Sequence, residues 1–224
     1  MGTLYLVRHG QASFGSDDYD RLSALGARQC ERLGQWFREQ GVEAFDAVFC
    51  GTLTRHRESL AAIERGIGTA LGARERSGLN EYDGDAIVRA LHPGPQAPAR
   101  TPEAVRAHFR LLREGLKAWM AGRTQPHGMP AHADFVAGVA AALEEVRAGH
   151  PDGRVLVLSS GGPIATAIGL VLDLKPDAVI ELNMALRNSA LSELRVSRQR
   201  LSLVSFNTLA HLGGPERASW VTHA

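Results

Sequence analysis

Three short apolar runs in this chain each stop at a glycine-containing turn, and a helix-patterned segment follows each one. They are Leu4 to Val7, ended by Arg8-His9-Gly10; Ala47-Val48-Phe49-Cys50, ended by Gly51; and Arg154 to Leu158, ended by Ser159-Ser160-Gly161-Gly162-Pro163. Short continuous apolar runs are buried strands, covered on both faces. Their alternation with helices restricts the chain to an α/β fold: a three-layer sandwich, with a mostly parallel sheet and helices on both faces. In such sheets ligands bind outside the carboxyl ends of the strands. Four segments belong there: Arg8–Gln11, Thr52–Arg57, Asn80–Asp83 and Ser159–Gly162.

The remaining elements follow from periodicity and punctuation. Leu22 to Gln40 places Leu22, Leu25, Ala27, Cys30, Leu33, Trp36 and Phe37 at helical spacing and stops at Gly41. Thr52 or Thr54 is positioned to cap a helix running to about Arg65. A weaker third strand falls around Ala70–Arg74. Residues 85–130 differ in character, with His92-Pro93-Gly94-Pro95, Pro98, a helix from Pro102 to Met120 and a Gly/Pro-containing loop. They read as a helical cap insertion in a single domain spanning residues 1–224. Ala131–Ala148 is helical, and Pro163 stands at the first position of an apolar helix ending near Leu174. Ala190–Val196 and Arg200–Phe206 form a hairpin through Ser197–Gln199.

Composition removes several classes of function. Of 224 residues, 25 are Lys or Arg and 24 are Asp or Glu, a net charge of +1 that attracts neither nucleic acid nor an anionic membrane. The apolar stretch Pro163–Leu174 is too short to cross a bilayer. Two cysteines without metal spacing, Cys30 and Cys50, and a chain that enters a strand almost at once predict a cytoplasmic protein without a signal peptide. His127, His132 and Asp134 are better explained by a polar loop than by a metal. The Ser159–Gly162 turn lacks the length and lysine of a Walker loop, and it is not a Gly-x-Ser-x-Gly elbow.

Arg8-His9-Gly10 carries the chemistry. Arginine presents a forked, permanently charged donor set that matches phosphate. Histidine is the side chain that is neutral and nucleophilic near pH 7. Together they predict phosphoryl transfer through a phosphohistidine, on a small phosphorylated molecule.

The order of motifs resembles the histidine phosphatase superfamily, the phosphoglycerate-mutase-like enzymes. Arg8-His9-Gly10 resembles its signature, Leu22-Ser23-Ala24-Leu25-Gly26-Ala27-Arg28-Gln29 its "L(S/T)xxGxxQ" helix start, and Cys50-Gly51-Thr52-Leu53-Thr54-Arg55 its "SxxxR" segment. Leu79-Asn80-Glu81 resembles "LxE", and Asn188-Ser189 sits where the family has such a pair. The resemblance covers about the whole chain. It implies His9 as nucleophile, Arg8 and Arg55 as clamps on the phosphoryl oxygens, Glu81 as proton donor and then base, and no cofactor or metal. Gly10 allows close approach of the ligand, and Gln11 and Ser13 are assigned to the pocket mouth.

The chain departs from the pattern in two places. Ser160 stands where the family has a second histidine, as in "SHGG", so a neutral hydroxyl replaces an imidazolium donor. The amides of Gly161 and Gly162 at a helix start are candidates to compensate, as is His211 after the last strand, and His56. The sequence places neither histidine. Gly84 also follows Glu81 early, which makes Asp83 a competitor for the acid role. The expected activity is a cofactor-independent phosphatase acting on a small phosphomonoester. The alternatives are a phosphoryl-ligand binding protein or degenerate homologue with little turnover, and a phosphoglycerate mutase-type phosphotransferase. The substrate, the cap fold and the oligomeric state are left open; Arg89, His92 and Arg100 of the cap are candidates to meet an anionic substrate.

Overall fold

The computed structural model describes residues 1–13, 20–94 and 101–223. Among the described residues there are six strands: β1 (Gly2–Arg8), β2 (Ala47–Cys50), β3 (Arg74–Glu75), β4 (Arg154–Ser159), β5 (Leu191–Val196) and β6 (Leu201–Thr208). They form one sheet in the order β3-β2-β4-β1-β5-β6. β1, β2, β3 and β4 are parallel neighbours, and β5 is antiparallel to both β1 and β6. Only β5 therefore runs against the rest. The register pairs Arg8 with Ser159 and Leu158 with Cys50, so the ends of β1, β2 and β4 lie level along one edge.

Alternating side chains divide the core in two, as a pleated strand requires. Leu4, Leu6, Phe49, Val155 and Val157 face one side, where helices α5 (His132–Gly149) and α6 (Gly161–Leu172) cover them. Val7, Val48, Cys50, Leu156 and Leu158 face the other, under α1 (Ala24–Glu39) and α2 (Thr54–Ile67). A third apolar cluster, Ile87, Val88, Leu112, Leu116, Trp119 and Ile180, joins α3 (Gly84–Leu91), α4 (Pro102–Met120) and α7 (Pro176–Ala185). Segments of the 85–130 stretch thus pack mainly on one another and on α7.

Several expectations shift when seen in three dimensions. The third strand is only Arg74–Glu75, paired with Phe49 and Cys50. Neither threonine caps α2; Leu53 holds the cap position, and Asp20 accepts the Thr54 amide at 2.8 Å. Helix α6 begins at Gly161, so Pro163 is its third residue rather than its first. Helix α7 escaped the sequence reading, because Pro176 at its start looked like the end of the preceding apolar helix. Pro95, Pro98 and Arg100 lie outside the described residues.

Two glycine contacts set the spacing of the α1–α2 layer. A Cβ on Gly34 would lie 2.1 Å from the Ile63 carbonyl oxygen, and one on Gly66 2.0 Å from that of Glu31. The two helices thus touch backbone to backbone. Gly41, by contrast, needs no space but has φ +72°. We expect Gly34→Ala to lower the unfolding free energy by about 3 kcal/mol, the upper end for overpacking, and Gly41→Ala by only about 1 kcal/mol of left-handed strain. Denaturant midpoints of the two variants check this ordering; equal losses would refute the backbone contact.

Candidate active site

The loop after β1 is held from every side. The His9 amide donates to Ser159 O at 2.9 Å, and the His9 carbonyl accepts from the Ser189 amide at 3.0 Å. The Gly10 amide donates to Ser59 Oγ at 3.1 Å, and the Gln11 amide to Gln29 Oε1 at 2.8 Å. Gln29 is fully buried, and its Nε2 donates to Trp220 O and Thr222 Oγ1. A Cβ on Gly10 would lie 2.3 Å from Gly26 O, and one on Gly26 2.1 Å from Gln11 O. The glycine of Arg8-His9-Gly10 and that of the Leu22–Gln29 segment are therefore two halves of one contact. Ser23 caps α1 by accepting the Gly26 amide at 3.0 Å and donates to Gln11 Oε1 at 2.8 Å.

His9 is buried, and its Nδ1 lies 2.7 Å from Gly10 O. A carbonyl only accepts, so Nδ1 carries the proton and Nε2 keeps its lone pair. Burial holds the His9 pKa well below 6.5, and the charges of Arg8 and Arg55, with His56, push it the same way. The ring is thus neutral, and the backbone selects Nε2 as the nitrogen with the lone pair.

Arg8 and Arg55 are both buried beside it. Arg8 Nη1 donates to Leu186 O, and Arg55 Nη1 to Asp20 Oδ1 at 2.7 Å. Burial raises the Asp20 pKa, but the Thr54 amide and hydroxyl and the Arg55 charge outweigh it and hold the carboxyl below its ordinary value. Asp20 carried no sequence signal; Ser59 did, lying one helical turn after Arg55 on α2.

Glu81 reaches the same edge on a tethered segment. Ser159 Oγ donates to Leu79 O at 2.6 Å, and Asn80 exchanges two 2.7 Å bonds with Thr52. The Glu81 carboxylate accepts the Gly162 amide on both oxygens, each at 3.1 Å. A Cβ on Gly162 would lie 2.2 Å from Glu81 Oε1, so the glycine admits the carboxylate. Burial raises the Glu81 pKa, against the pull of the Gly162 amide and of Arg55 and Arg8.

The structure places the other expected residues as follows. Ser160 is buried, and its Oγ lies 2.7 Å from His56 Nε2. Gly161 borders Asn183, whose Oδ1 lies 2.4 Å from where a Cβ would be. The Gly162 amide, expected to help bind an external anion, is engaged by Glu81 instead. Gln11 is half-buried; its backbone amide donates to Gln29 Oε1 and its side-chain Oε1 accepts from Ser23 Oγ. His211 meets Ser189 Oγ at 2.9 Å, behind the main chain of His9. Asp83 caps α3 by accepting the Ala86 amide at 2.9 Å. Arg89 lies 3.9 Å from Asp83, and His92 is 3.1 Å from Glu114. Among the described residues no cluster of ligands suits a metal ion, and no helix is long and apolar enough to cross a membrane.

Solved structures share this fold. One is phosphoserine phosphatase from Entamoeba histolytica in complex with 3-phosphoglyceric acid (TM-score 0.66, 18% identity, covering 95% of this chain and 100% of that one). A second is mycobacterial glucosyl-3-phosphoglycerate phosphatase with inorganic phosphate (TM-score 0.64, 20% identity, 94% and 99% covered). A third is phosphoglycerate mutase from Bacillus anthracis (TM-score 0.63, 16% identity, 93% and 94% covered). No curated protein matched the chain by sequence. The model of the histidine phosphatase superfamily (branch 1) matches residues 4–209, and the chain belongs to that family.

Proposed function

We propose that this protein is a cofactor-independent phosphatase that hydrolyses a small phosphomonoester through a phosphohistidine at His9. The observation that carries the reading is the His9 Nδ1–Gly10 O bond, which presents a neutral Nε2 lone pair between two buried arginines. His9 Nε2 attacks phosphorus and the bond to the ester oxygen breaks. Glu81, protonated, gives its proton to that leaving oxygen. Arg8 and Arg55 neutralise the charge on the three phosphoryl oxygens, which is most of what phosphoryl transfer requires of a protein. Ionised Glu81 then takes a proton from water, the hydroxyl attacks phosphorus, and the bond to Nε2 breaks to release phosphate and neutral His9. Burial assists both residues, since it favours the uncharged imidazole and the uncharged acid before reaction.

The structural relatives bind phosphoserine, 3-phosphoglyceric acid and phosphate, which supports a small phosphorylated substrate here. Mutase activity would require the phosphohistidine to outlast water, and no feature described above favours that.

Hydrolysis of p-nitrophenyl phosphate by the wild type, with His9→Ala at background, is the expected result. Equal background rates in both would refute the enzyme reading. Acid quenching during turnover should trap an acid-labile phosphoprotein in the wild type but not in His9→Ala.

Glu81 sets the pH dependence. Its raised pKa means the acid form is lost as pH rises through that value. The depressed His9 pKa means the neutral ring is lost only well below pH 6.5. Hydrolysis of an alkyl phosphate should therefore decline on the alkaline side. Glu81→Gln should lower it by about 10²–10⁴ and abolish that alkaline limb. An unchanged limb in the variant would assign it to another group.

A further inference from the structure

His56 is a buried histidine beside Ser160 that the proposed reaction does not use. It follows the clamp residue Arg55 on the first turn of α2 and is fully buried. Its ring centroid lies 5.8 Å from that of His9. Nε2 is 2.7 Å from Ser160 Oγ, while Nδ1 has no hydrogen-bond partner among the described residues. Gly51 makes room for the ring, because a Cβ there would lie 2.1 Å from His56 Nδ1.

These contacts select a tautomer. Burial, reinforced by Arg55, holds the His56 pKa at about 3 against the opposing charge of Asp20, so the ring is neutral. A neutral imidazole has one donor and one acceptor nitrogen. If Nε2 accepted from Ser160, the buried Nδ1–H would be an orphan donor, which is the rarer and costlier arrangement. With Nε2–H donating to Ser160 Oγ, the orphan is a lone pair and the serine proton is directed elsewhere. Ser160 spends no hydrogen bond on its own helix, since it stands at the cap position of α6 with no side-chain cap bond. Ser160 directly follows Ser159, which pairs with Arg8 and whose carbonyl accepts the His9 amide at 2.9 Å.

We propose that His56 is a positioning residue that orients Ser160, so that the Ser160 hydroxyl donates to a phosphoryl oxygen of the group His9 attacks. This rests on the phosphatase reading and extends it. The imidazole acts from behind the serine and does not touch the substrate.

The test is a double-mutant cycle on p-nitrophenyl phosphate with Ser160→Ala, His56→Ala, the double variant and His56→Gln. Ser160→Ala should lower kcat/KM on the order of 10², with part of the loss appearing as weaker binding of the phosphoryl group. His56→Ala should lose a similar factor, and the double variant no more than Ser160→Ala alone. His56→Gln places an amide donor near the old Nε2 and should recover at least about ten-fold over His56→Ala. Additive losses, or Ser160→Ala at the wild-type rate, would overturn the pairing. If His56→Ala fails to fold, Ser160→Ala and His56→Gln still decide it: loss in the first with substantial retention in the second supports the pair, and the reverse refutes it. If the wild type is itself no faster than His9→Ala, the phosphatase reading fails separately. Calorimetric binding of inorganic phosphate then reads the pair: about ten-fold weaker binding to Ser160→Ala and to His56→Ala, relative to wild type, supports it, and unchanged affinity overturns it.

Discussion

The hydrogen bond from His9 Nδ1 to the carbonyl of Gly10 decides what this site can do, and most of the surrounding structure serves to keep that carbonyl where it is. The loop has little freedom. Its amides go to Ser159 O, Ser59 Oγ and Gln29 Oε1, and its two-sided contact with Gly26 excludes any side chain at either glycine. Each such bond contributes only about 1 kcal/mol net. Because they act on three consecutive residues, their combined effect is to remove alternative conformations rather than to add stability. A proton on the other nitrogen would leave the ring unable to attack from Nε2.

Electrostatics at the sheet edge depends on the same burial. Arg8, Arg55, His9 and His56 are buried there and Glu81 is partly buried, and unpaired charge away from water is costly. The histidines respond by staying neutral, and the glutamate is pushed towards its acid form. Arg55 is balanced by Asp20 at 2.7 Å. The Glu81 carboxylate sits on the first turn of α6, using the anion-favouring end of that helix for a residue of the chain itself. This explains two adjacent glycines after Ser160 without an external ligand: Gly162 makes way for Glu81, and Gly161 for Asn183.

Much of this was legible in the chain because strand and helix periods are local. The runs ending at Arg8, Cys50 and Ser159 gave the parallel core of the sheet, and Gly10, Gly26 and Gln29 stood out as motif residues before their contact was visible. Helix α7 was missed because a proline after an apolar helix reads equally as a stop or a start. The cap of α2 was misassigned because Asp20, far away in sequence, supplies the acceptor that a threonine would have offered. Neither error has a local remedy.

The sequence by itself determined the fold class and the family, and it singled out Arg8, His9, Arg55 and Glu81 as the candidates for chemistry, because their residue types follow predicted strands in a familiar order. The tertiary structure decided what those residues are bonded to. Sequence order left Ser160 in place of an expected histidine and named His211 and His56 as the histidines to answer for it. Folding separates them: His211 is held against Ser189 behind the His9 main chain, and His56 is brought from α2 to Ser160. That assignment depends on the pairing of β2 with β4, which sets residues more than a hundred positions apart side by side. No period or spacing along the chain encodes such a meeting, because it is fixed by packing across the sheet.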